Sequence, residues 1–142
     1  MDDLTLWGLR IAGGGQIALA LLHRVAMREL AWREDFARIR PLNARLFKGL
    51  FGYVTCMNFL FGLLTLLGPG LLLDHSTLAL LVAAFLAAFW TARVMLQLFY
   101  YRWREAPGFV GRWYCRAMLM SGFVGIALAY WLALCCNLGA FA

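Results

Sequence analysis

AFWTARVMLQLFYYRW, from Ala88 to Trp103, places an arginine and a glutamine inside a run of apolar residues long enough to cross a membrane. An ionisable side chain at such depth is a functional-site candidate by default, because hydrocarbon penalises its charge. The rest of the chain has the same character. Of its 142 residues 64% are hydrophobic, and the mean hydropathy is +0.76, which excludes a water-soluble globular class.

About 20 apolar residues cross about 30 Å of hydrocarbon. Four segments reach that length: residues 4–22, 46–67, 77–101 and 117–138. The expected fold is an all-α integral membrane protein, a single transmembrane domain of four helices. No connection between them is long enough to fold as a separate catalytic domain.

The net charge of +6 is decided by its distribution. Arg24, Arg28, Arg33, Arg38, Arg40, Arg45 and Lys48 fall in the first connection and the mouth of the second segment, and Arg102, Arg104, Arg112 and Arg116 fall between the third and fourth. By the positive-inside rule both basic connections (23–45 and 102–116) are cytoplasmic, while the outer loop 68–76 and both termini lie on the other side. The arginine-rich, almost lysine-free usage makes the expected location a bacterial inner membrane, multi-pass. The orientation directs the basic residues to anionic lipid headgroups at the cytoplasmic face rather than to nucleic acid. Within the first connection Trp32, Phe36 and Ile39 share one helical face, and Glu29–Arg33 and Glu34–Arg38 are spaced i,i+4. The pattern predicts an interfacial amphipathic helix over about 29–40, stopped by Pro41.

Small residues mark packing faces. Gly13, Gly14 and Gly15 interrupt the first segment and allow another backbone to approach, and Ser121, Gly125 and Ala129 form a small-residue ridge on the fourth. The second segment carries the stripe Phe51, Thr55, Asn58, Gly62 and Thr65. It ends at Gly68-Pro69-Gly70, so that the second and third helices are expected to form an antiparallel hairpin.

Counted by depth, Gln16, Asn58 and Arg93 fall in one layer, and none of the seven carboxylates lies inside a spanning segment. Arg93 therefore has three readings. Gln16, Asn58, backbone carbonyls and water satisfy it as interhelical glue; or Arg93 with Gln97, Tyr100 and Arg104 holds an anionic or carbonyl-bearing amphiphile, since guanidinium suits phosphate and carboxylate geometry; or a partner subunit supplies an acid. His23 and His75 are separated by the whole membrane, so a bis-His haem within one chain is excluded, and His23 remains only a weak haem-ligand candidate. Cys56, Cys115, Cys135 and Cys136 contain no Cys-x-x-Cys spacing. No catalytic set, metal set or cofactor is expected, with a bound lipid or quinone as the exception. The leading expectation is a non-catalytic accessory or scaffolding subunit of a larger membrane complex, or a homo-oligomer. The alternative is a lipid-, isoprenoid- or quinone-binding protein or enzyme with a cytoplasm-facing pocket around Arg93.

Overall fold

The computed structural model describes residues 2–101 and 112–139. All its regular elements are helical: α1 (Asp2–Glu29), α2 (Trp32–Arg38), α3 (Pro41–Leu67), α4 (Thr77–Met95) and α5 (Trp113–Asn137). A 3₁₀ turn, Pro69–Leu72, precedes α4, and a π turn, Leu96–Tyr100, extends it. Among the described residues four helices are long and apolar enough to cross a membrane: α1, α3, α4 with its π turn, and α5.

Two helices run further than hydropathy alone indicates. Residues 23–29, HRVAMRE, contain no glycine or proline, so nothing stops α1 at Leu22; it continues to Glu29, reaching about 42 Å. Likewise α3 opens at Pro41, whose missing N–H and fixed φ suit the first turn. Between them only the 7-residue α2 remains, entered through Ala31 in the left-handed region at φ 52°. That turn separates Glu29 from Arg33, and neither expected i,i+4 ion pair forms among the described residues. The aromatic face of α2 does find a partner: Trp32 meets Phe51 of α3 at 4.6 Å between ring centroids, and Phe36 meets Phe47 at 6.5 Å.

The helices pack in the spatial order α3, α1, α5, α4. Gly13 and Gly62 bring α1 against α3, and the Leu9, Ala12 and Gln16 side of α1 is buried in the core that α4 and α5 build with Ala83, Leu86, Trp90, Phe123, Ile126 and Tyr130. The expected hairpin of α3 and α4 is therefore a hairpin in connection only. The two touch through Phe61 and Phe85, 5.9 Å apart, without a broad interface. Its physical cause is the 3₁₀ turn, which buries Leu72 and packs against α1, α3 and α4, so that it bridges the gap between the helix ends.

At this end Ser76 caps α4 by accepting the Ala79 N–H at 3.1 Å. Asn137 ties the turn to α5, donating from Nδ2 to the Leu72 carbonyl at 2.6 Å and accepting the His75 N–H at 3.1 Å. The Ser76 side chain and backbone N–H hold the Asp74 carboxyl below the usual carboxylate range. A depressed carboxylate stabilises above its ordinary value near 4 and loses that contribution as pH falls through the folded value. Thermal unfolding in detergent should therefore show a midpoint that declines below about pH 4. Asp74→Asn should remove that part of the decline; an identical pH profile in the variant would count against it.

Candidate functional site

Polar side chains inside the spanning helices are arranged by one recurring device. A threonine hydroxyl donates to the carbonyl four residues earlier, which leaves its oxygen to accept from a neighbouring helix. Thr65 donates to the Phe61 carbonyl at 2.8 Å, so the Tyr130 hydroxyl, 2.7 Å away, donates to Thr65 and in turn accepts the Gln16 Nε2–H. Thr91 donates to the Ala87 carbonyl at 2.7 Å and accepts Trp131 Nε1–H at 3.0 Å. Thr55 donates to the Phe51 carbonyl at 2.8 Å and lies 2.9 Å from His23 Nδ1.

The last case determines a tautomer. With the Thr55 proton committed to Phe51, the His23 contact requires N–H on Nδ1, and in the neutral ring Nε2 carries the lone pair. Nε2 has no hydrogen-bond partner among the described residues.

Gln16, placed by depth beside Arg93, is instead engaged by Tyr130, with both side chains fully buried. Two buried polar atoms have no partner among the described residues: Gln16 Oε1 and Trp90 Nε1. Asn58 is half-buried on α3 and hydrogen-bonds to none of the described residues. Arg93 is half-buried, its guanidinium carbon 5.3 Å from the centroid of the Phe123 ring. It has no ion pair or hydrogen bond among the described residues, so the glue of Gln16 and Asn58 is not what holds it.

The π turn re-aims the side chains that come after Arg93. Tyr101 N–H bonds to the Leu96 carbonyl, an i→i+5 closure at 3.1 Å, and the wider turn changes the register of the residues towards its end, Tyr100 among them, relative to Arg93. Gln97 stays buried, whereas Tyr100 is 72% exposed. Arg104 lies outside the described residues.

On α1 only Gly13 makes a tight backbone contact; Gly15 meets Ile126 of α5 at ordinary distance and Gly14 faces open space. On α5 Ala129 is buried, while Ser121 and Gly125 are exposed. All four cysteines are free thiols.

A cleft of about 490 Å³ lies between α1 and α3 at the end where α1 carries Arg24 and Arg28 and α3 carries Arg45 and Lys48. His23, Arg24, Lys48, Phe51, Thr55 and Cys56 are among its lining residues. Of these, the sequence points to His23 and the Thr55 stripe but not to Arg24 with Lys48, whose pairing depends on the register of α1 against α3. Tyr130 also escapes a reading by segments, although a tyrosine in the middle of an apolar span signals a buried hydroxyl that needs a partner. Comparison with family models, curated proteins and solved structures gives no match.

Proposed function

We propose that this protein binds an anionic or carbonyl-bearing amphiphile within the membrane, a lipid, isoprenoid or quinone, with Arg93 as its deepest fixed charge. The observation that carries this reading is the guanidinium itself, which sits in a spanning helix without an acceptor among the described residues. Placing it there costs about 3 kcal/mol or more. Its position over Phe123 offsets about 0.5–2 kcal/mol of that but leaves its N–H donors without acceptors. A phosphate, carboxylate or carbonyl head entering beside Arg93 and Gln97 supplies them. In this reading the basic end is cytoplasmic, α2 lies at the interface on its Trp32 and Phe36 face, and the membrane is a bacterial inner membrane.

A second reading, an accessory subunit of a larger complex, draws on α5, where Ser121 and Gly125 are exposed and a Cβ on Gly125 would meet nothing within 4 Å. One experiment separates the two. The protein is purified gently from its native membrane and everything that stays bound is identified by native mass spectrometry. Amphiphile binding predicts a retained small molecule whose occupancy falls at least about ten-fold in Arg93→Leu, with helix content unchanged. Larger subunits in fixed stoichiometry, undiminished in Arg93→Leu and lost on Gly125→Leu, would replace it with the accessory reading.

A further inference from the structure

We infer that the α1/α3 cleft is a separate binding site for one anionic glycerophospholipid whose head carries a free hydroxyl, of the phosphatidylglycerol class. The argument is charge and hydrogen-bond complementarity. Arg24 and Lys48, from facing helices, both line the cleft, and no carboxylate does. Lys48 Nζ lies 5.3 Å from the centroid of the Phe36 ring, which leaves its N–H donors available, and neither cation has an ion pair among the described residues. Two cations from two helices suit one phosphate.

Deeper in the same cleft His23 is held by Thr55 in the tautomer that accepts at Nε2. An acceptor behind a pair of cations does not suit a bare phosphate diester oxygen, which repels a lone pair. It suits a hydroxyl on the same head. On the bilayer side of the cations the lining is mostly apolar, including Ala20, Leu21 and Phe59, and takes the upper part of an acyl chain. About 490 Å³ is within the usual range of ligand sites but too small for a whole phospholipid, so the chains continue into the bilayer. This site stands apart from the Arg93 amphiphile, since Arg93 does not line the cleft.

The test compares two lipids of equal charge, phosphatidylglycerol and phosphatidylmethanol, the second lacking the free hydroxyl. Each is doped into phosphatidylcholine nanodiscs holding the full chain, and retained lipid is counted by native mass spectrometry. The wild type should retain phosphatidylglycerol over phosphatidylmethanol by about five-fold, the value of one hydrogen bond. His23→Phe should keep both lipids and lose the preference. Arg24→Gln with Lys48→Gln should weaken both lipids roughly thirty-fold. Thr55→Val, which frees the ring without removing it, should reduce the preference with helix content intact. Arg93→Leu should leave the preference in place even where it abolishes the native-membrane ligand, so the two proposals fail independently. Equal retention of the two anionic lipids by the wild type, or a preference that survives His23→Phe, overturns the inference.

Discussion

Gly13→Ala should push α1 away from α3 and lower bundle stability by about 1–3 kcal/mol, the usual range for overpacking a close contact. A Cβ at Gly13 would lie 2.6 Å from the Leu66 nitrogen and 2.7 Å from the Gly62 carbonyl oxygen. Both obstacles are backbone, so no side-chain rotation relieves them; the helices must separate. Separation also disturbs Gln16, one turn along α1, whose Cβ is what an added Cβ at Gly62 would meet at 2.9 Å. Gly14→Ala is the control in the same three-glycine run. Its Cβ would meet nothing within 4 Å, and alanine favours helix by up to about 1 kcal/mol, so that variant should be neutral or slightly more stable. Denaturation in mixed micelles, monitored by helix content, reads both. Equal loss in the two variants would mean that the run acts through backbone flexibility and not through close approach.

Tyr130→Phe should be the most damaging removal of a single atom in the core, at about 1–3 kcal/mol. Gln16, Thr65 and Tyr130 are each fully buried. The chain of donors runs from Gln16 to Tyr130 to Thr65 to the Phe61 carbonyl. Thr65 survives loss of the hydroxyl, because its proton already goes to Phe61. Gln16 does not: its Oε1 has no partner among the described residues, and without Tyr130 its amide nitrogen loses its acceptor too. Hydrogen bonds between membrane helices average only about 0.6 kcal/mol, because the separated helices find other partners. The expectation is higher here since the amide is stranded rather than exchanged. Combining Gln16→Leu with Tyr130→Phe removes the stranded group, so the double variant should be more stable than Tyr130→Phe alone. If the two variants unfold together, the network contributes little, and shape alone holds α1, α3 and α5.

Much of this bundle is legible in the chain alone. Four apolar runs, the break at Gly68-Pro69-Gly70 and the stop before Pro41 are local signals. Each depends on one segment and its immediate neighbours. The depth argument for Gln16, Asn58 and Arg93 is less informative, because depth gives one coordinate of three. Gln16 lies on the α1 face that meets α3 and α5, where Tyr130 reaches it, and Arg93 lies on α4 over Phe123. A layer is not a contact. Tyr100 escapes for another reason: spacing by seven places it on the face of Arg93 only in a regular α-helix, and the π turn at Leu96–Tyr100 breaks that register.

Hydropathy, length and charge act through solvent and need no partner, so the chain alone already shows the helical class, the four helices able to cross a membrane among the described residues, and the gathering of most basic residues in two connections. The order α3, α1, α5, α4, the engagement of Gln16 by Tyr130, and the cleft that brings His23, Arg24 and Lys48 together emerge from packing alone. Those depend on which helix faces approach and in what register. That is set by a close contact at Gly13 and Gly62 and by donors finding acceptors across helices, neither of which any single segment encodes.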